Sequence, residues 1–149
     1  DEGWNQRLPK AVYQRDYGQG ADAPERGMLT DIVLRKGTEL TVIDAKYYRA
    51  ISGGTVPGWQ DIAKQMFYEL AVRSVAGKAF TVRNCFAFPS KNDGNGPFVK
   101  VAMLPREGGE PVVGFPPIDC HYLDVTNVMS AYVDRRVDLE LPMHFGISS

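Results

Sequence analysis

The sequence predicts an α/β domain built on a mixed central sheet flanked by helices. Two observations carry this expectation. Strand-like runs near 31–35, 40–46, 79–88 and 98–104 share one chain with two segments of helical period, near 58–75 and 125–135. The 149 residues are enough for one core and too few for two ordinary ones, so a single domain spanning 1–149 is expected. An apolar fraction of 44% and a charged fraction of 23% are those of a globular chain. Because the chain begins at Asp1 without a methionine, it is expected to be the C-terminal part of a longer protein.

The elements follow in order. Residues 1–27 are mixed, with Trp4, Leu8, Val12, Tyr13 and Tyr17 as anchors for a short strand or irregular segment. Pro24 and three glycines make 18–27 a loop, and Glu2 and Glu25 are read as solvated acids. A β-hairpin comes next: an apolar run at 31–34, a turn at Arg35-Lys36-Gly37, and a second run at 40–43. After a Gly-rich link, Pro57 sits where a first-turn proline is tolerated. Trp59, Ile62, Ala63, Met66, Phe67, Leu70 and Ala71 then recur at three and four, a helix expected to lay that face on the sheet. Asp61, Lys64, Gln65, Tyr68 and Val72 fall on its other side, and Gly77 ends it. Beyond the strand at 79–88, the stretch 89–97 reads as a long turn and 98–104 as a strand. A short strand at 112–115 and an edge strand at 118–123 are expected before the last helix. Asp124 caps that helix, Val125, Val128, Met129, Tyr132 and Val133 form its stripe, and Arg135-Arg136 suit its C-terminal dipole. The tail, 139–149, carries apolar singles and His144.

Chemistry concentrates where the hairpin's second strand ends, at Asp44-Ala45-Lys46. Strand alternation puts Asp44 and Lys46 on one face and Ala45 on the other. An antiparallel hairpin closed near Lys36-Gly37 brings Asp31 to the same spot. Paired carboxylates suit a hard divalent cation such as Mg²⁺, with the Ala45 carbonyl as a further ligand. A lysine there orients or deprotonates an attacking water, and the cation offsets charge developing on phosphorus. The plain alternative for an isolated Asp-x-Lys is an exposed ion pair. Here the triplet continues a run of buried-type residues, where a charged pair needs a partner.

Asp31 followed by Asp44-Ala45-Lys46 resembles the PD-(D/E)xK nuclease superfamily, whose motif is an Asp on one strand and an acid-x-Lys on the next. More narrowly, DIVLRKG, then TVIDAKYY, then GWQDIAKQMFYELAV resemble the nuclease domain of LlaJI-type and McrC-type restriction endonucleases. The likeness covers about 27–72. It implies a restriction-endonuclease-like sheet and Mg²⁺-dependent cleavage of DNA, with Mn²⁺ as a substitute. Asp31 and Asp44 would hold the metal together with the Ala45 carbonyl, Lys46 would be the catalytic lysine, and Gln65 would join the site. Implied partners are DNA, a recognition domain or an AAA+ GTPase motor, and a second copy for double-strand cleavage. Thr30 stands where the family usually has proline, and Tyr68 follows Gln65 by three residues where related nucleases often have four.

Composition narrows the alternatives. With 17 basic and 18 acidic residues, the net charge of -1 argues against a strong independent DNA binder, so selection is expected from another domain or subunit. No apolar run reaches membrane-spanning length, and no signal or lipidation motif is present. Cys85 and Cys120 lack zinc-site spacing and read as buried free thiols, and the expected location is the cytoplasm. Asp119, Cys120 and His121 suggest a hydrolase, but alternation splits them between two strand faces. Two other readings stay open: a catalytically silent binding or assembly module, and a nuclease acting on RNA or single-stranded ends.

Overall fold

The chain is described here by a computed structural model covering residues 3–16, 19–22, 27–90 and 97–134. Glu2, Glu25, the centre of the turn at 91–96, Arg135-Arg136 and the tail with His144 lie outside the described residues. A one-turn helix, α1 (Trp4–Arg7), opens the chain, followed by a small antiparallel pair, β1 (Tyr13–Asp16) and β2 (Gln19–Asp22). The expected loop at 18–27 therefore contains a strand. Gln-Gly-Ala-Asp has no apolar alternation, and only its pairing with β1 makes it one.

The main sheet begins with the hairpin of β3 (Ile32–Lys36) and β4 (Glu39–Ala45). Their register pairs Lys36 with Glu39 and Ile32 with Ile43, leaving Gly37 and Thr38 as the turn. Gly37 has φ of +56°, a conformation open to glycine at little cost. From β4 the chain crosses through α2 (Trp59–Ala76) to β5 (Thr81–Ser90), which lies parallel to β4. β6 (Val101–Ala102) and β7 (Ile118–Asp124) complete the sheet in the order β3-β4-β5-β7-β6, with β7 parallel to β5 and β6 antiparallel to β7. This is the mixed α/β sheet that the sequence predicts.

Three local expectations change. The strand at 98–104 shrinks to two residues, and 112–115 is not a strand: only a bridge between Pro105 and Pro111 forms there. Prolines lack the ladder donor, and Gly108 and Gly109 both take positive φ between them. β7 is not an edge, because β6 pairs on its outer side.

The rotation of α2 also differs. Gln65, Met66, Glu69, Ala71 and Val72 are buried against the sheet, while Trp59 and Phe67 are each 64% exposed. The sheet offers α2 more than an apolar surface, so the stripe that enters contains two polar residues. Gln65 Nε2 donates to the carbonyls of Val42 and Cys85, both at 3.0 Å, linking helix to two adjacent strands. Glu69 is fully buried and pairs with Arg73 one turn on.

Under α2 the core has two parts. Trp4, Leu8, Val33, Leu40, Val42, Ala71, Val72 and Val82 pack at one end; Ala50, Met66, Phe86, Phe88 and Ile118 pack at the other. Ile43, Cys85 and Ala87 form a smaller cluster on the opposite sheet face. α3 (Val125–Val133) starts directly from β7, and Asp124 Oδ1 accepts from the backbone N–H of Thr126 at 2.8 Å, as a cap should. Its stripe is only partly covered, since Val125, Met129 and Val133 are exposed. Among the described residues no helix is long and apolar enough to cross a membrane.

Candidate active site

The hairpin register decides the site. Ile32 pairs with Ile43, so Asp31, one residue before β3, stands beside Asp44 near the end of β4. Val33 and Val42 belong to the core under α2, and strand alternation puts Asp31, Asp44 and Lys46 on that same face. Ligand sites in such sheets commonly gather at the carboxyl ends of parallel strands, and β4 ends here beside β5. The Lys46 N–H extends the ladder by donating to the Ala87 carbonyl at 2.8 Å, which fixes the backbone beneath the lysine.

The two carboxylates have different surroundings. Asp31 is exposed, and its Oδ2 accepts the Ala45 N–H at 3.2 Å. Asp44 is buried, with Oδ2 2.6 Å from Lys46 Nζ. That oxygen is held by the Lys46 ammonium, a charge contact at hydrogen-bonding distance. Burial raises the Asp44 pKa, the Lys46 contact lowers it, and the neighbouring Asp31 carboxyl raises it again, with a net upward shift. The Lys46 side chain is only 8% exposed, with Nζ over the Phe86 ring, 5.1 Å from its centroid. Burial works to lower its pKa, but the contacts with Asp44 and Asp61 outweigh this, so Lys46 is raised and stays an ammonium.

Asp61 is the residue that sequence reasoning missed. Helical spacing alone puts it on the outer side of α2, yet its Oδ1 accepts from Lys46 Nζ at 2.7 Å. The lysine is thus held by a carboxylate from the sheet and another from the first turn of the helix. The available signal was that Asp61, Gln65, Glu69 and Val72 recur at three and four as surely as the apolar set does. Gln65 comes one turn after Asp61 but makes no hydrogen bond to Asp31, Asp44 or Lys46. Its amide nitrogen serves the sheet carbonyls, and its Oε1 is buried without a partner.

Asn5 of α1 is a second residue with no sequence signal. Its Oδ1 accepts from both the N–H and the hydroxyl of Thr30, at 2.9 and 2.8 Å, and its Nδ2 donates to the Thr30 carbonyl at 3.2 Å. Three bonds therefore clamp the residue immediately before Asp31. Proline at position 30 would have no N–H to give, so threonine here makes its own anchor.

The donor set suits a hard cation. Two carboxylates, Asp31 exposed and Asp44 buried against the Lys46 ammonium, lie beside the Ala45 backbone, whose N–H bonds Asp31. Carboxylate and backbone oxygens are the ligands such a cation takes. Among the described residues no group of three or more His, Cys, Asp or Glu side chains converges, so a cation held here would keep several waters. The hydrolase alternative finds no support in its thiol: Cys120 is free, and burial raises it to about 11, far from a thiolate at neutral pH.

The sequence pattern of the LlaJI restriction endonuclease family matches residues 16–104. Comparison with curated proteins and with solved structures finds no match. The matched stretch covers well over half of the chain and contains Asp31, Asp44, Ala45, Lys46, Asp61 and Gln65. The chain belongs to the LlaJI restriction endonuclease family: it is a nuclease of a restriction system.

Proposed function

We propose that this chain is a Mg²⁺-dependent DNA endonuclease that hydrolyses phosphodiester bonds as the cleavage domain of its restriction system. The observation that carries the reading is the convergence of Asp31, Asp44 and Lys46 at the end of β4, with Lys46 held between Asp44 and Asp61. On this reading Asp31, Asp44 and the Ala45 carbonyl hold the metal. When bound, Mg²⁺, for which Mn²⁺ substitutes, supplies positive charge facing the phosphate oxygens as negative charge builds in the transition state.

The chain's own residues do the rest. Lys46 Nζ orients the water that attacks phosphorus. The new O–P bond forms, and the bridging P–O bond opposite breaks with its electron pair on the leaving oxygen. That oxygen takes a proton from solvent in exchange for the one the water gives up. Asp61 gives the ammonium a second anchor, so Lys46 keeps its place when Asp44 turns to other partners. Gln65 acts from behind, tying α2 to β4 and β5. A recognition domain or an AAA+ GTPase motor supplies sequence selection, because a chain of net charge -1 has little general affinity for DNA. Two copies cut the two strands, and the cytoplasm keeps Cys85 and Cys120 reduced.

Cleavage of duplex DNA, RNA and single strands at low salt with Mg²⁺ or Mn²⁺ tests the reading. Asp31→Ala and Asp44→Ala should abolish cleavage and weaken metal binding by calorimetry, with circular dichroism unchanged. Lys46→Ala should remove the rate while metal binding survives, and Lys46→Arg should rescue little. Unchanged metal binding in both aspartate variants, or full-speed cutting by Lys46→Ala, would sink it.

A further inference from the structure

Two tyrosines follow Lys46, and the fold treats them differently. Tyr47 is 96% exposed, whereas Tyr48 is 41% exposed and its ring packs on Phe88, with centroids 6.3 Å apart and planes inclined at 59°. Phe88 is fully buried and packs in turn on Phe86 and Tyr122, at 6.2 and 5.4 Å. Tilted ring pairs of this kind are favourable, so Tyr48 rests on a rigid support. Lys46 Nζ stands over Phe86, the next ring of the same row, and the Lys46 backbone is tied to Ala87 between the two phenylalanines. The lysine and the tyrosine are thus held over neighbouring rings of β5, in the core under α2.

The Tyr48 hydroxyl responds to the charges of the site. Partial burial raises its pKa, the Lys46 ammonium lowers it, and the Asp61 and Asp44 carboxylates raise it, with a net upward shift. Such effects fade within about 10 Å at ordinary salt, which puts the hydroxyl close to all three residues. The phenol keeps its proton at neutral pH and has an O–H to donate. Among the described residues no protein group takes that hydrogen bond. A phenol fixed by its ring beside an ammonium and two carboxylates, with its donor unpaired, suits an anionic oxygen that a ligand brings.

We propose that Tyr48 is a further catalytic residue, whose Oη donates a hydrogen bond to a non-bridging oxygen of the scissile phosphate. The assignment rests on the nuclease reading and adds to it a donor from outside the Asp-x-Lys motif. Negative charge grows on that oxygen as the water adds to phosphorus, so the hydrogen bond is stronger in the transition state than in the bound substrate. Tyr48 keeps its proton throughout, and the bonds made and broken at phosphorus are unchanged.

Single-turnover cleavage by the full protein with Mg²⁺, on duplex whose cut position has been mapped, tests the assignment. Tyr48→Phe keeps the ring and loses only the hydroxyl. A sheltered transition-state donor contributes about 100- to 1,000-fold in kcat, and solvent exposure reduces this, so the variant should cut about 10- to 100-fold more slowly. Its duplex affinity in EDTA, metal affinity by calorimetry and Tm should change little, and Tyr47→Phe should cut like wild type. Duplexes with one phosphorothioate at the cut position add a readout that a structural role would not move. Sulfur accepts hydrogen bonds poorly, so the ratio of wild-type to Tyr48→Phe rates should collapse on the diastereomer that replaces the contacted oxygen and persist on the other. Equal ratios on both diastereomers, or a Tyr48→Phe protein that cuts at the wild-type rate, overturn the role of Tyr48 and leave the nuclease reading intact. A wild type that cuts no duplex overturns both.

Discussion

Removing the Asp61 carboxylate should slow cleavage far more than it destabilises the fold. Lys46 is almost completely buried and its ammonium has two anchors, Asp44 at 2.6 Å and Asp61 at 2.7 Å. A charge-assisted hydrogen bond contributes about 1.5–3 kcal/mol when sheltered. The Asp61 side chain is 39% exposed, so solvent screening reduces its share to about 0.5–1 kcal/mol. For a chain of this size that is a fall of roughly 1–4 °C in Tm. Geometry sets the kinetic effect. Without Asp61 the ammonium follows Asp44 alone, and a misplacement of about 1 Å at a reacting group costs about 100-fold in rate, or ~2.7 kcal/mol of activation free energy. Asp61→Ala should therefore lower kcat about 100-fold with KM nearly unchanged. Asp61→Asn keeps an acceptor oxygen without the charge and should lose about tenfold. Single-turnover cleavage at low salt with Mg²⁺, beside thermal melts of the same preparations, measures both effects. If Asp61→Ala cuts within twofold of wild type while Lys46→Ala is dead, Asp61 does not position the lysine.

Two further expectations concern the polar residues under α2. Gln65→Ala should cost about 3–5 kcal/mol by denaturant unfolding, from two lost hydrogen bonds and the space left by a fully buried side chain. Gln65→Met keeps the volume and removes the orphaned Oε1, so it should cost about 1 kcal/mol and cut within severalfold of wild type; a 100-fold loss would make Gln65 a catalytic group. Glu69 has its pKa raised from 4.5 by burial, against the opposing pull of Arg73. A carboxyl raised in the folded state contributes stability that is full below about 4.5 and lost as pH rises through its folded value. The Tm advantage of Glu69→Gln over wild type should accordingly open as pH increases from about 4.5, and an advantage that narrows over that range contradicts the burial argument.

Much of this architecture can be read along the chain. The apolar runs on either side of Gly37 predict the hairpin, because alternation and a turn glycine are both local properties. The same pattern places Asp44 and Lys46 on one strand face and Asp31 beside them, since an antiparallel register follows from where the turn closes. The Asp124 cap and the span of α2 are local in the same way. The rotation of α2 is not. Its sequence carries an apolar set with Trp59 and Phe67 and a polar set with Asp61 and Gln65, both at helical spacing, and counting hydrophobic residues favours the first. The sheet takes Met66 and Ala71 from the first and Gln65 and Val72 from the second, because it presents two carbonyls to the Gln65 amide and a lysine to the Asp61 carboxylate, partners that lie 15 to 23 residues away. Asn5 reaches across 25 residues to clamp Thr30, and no spacing within α1 announces it. Local periodicity encodes where each side chain points relative to its own backbone. Which of those directions faces inward depends on what the rest of the fold has left to be hydrogen-bonded there.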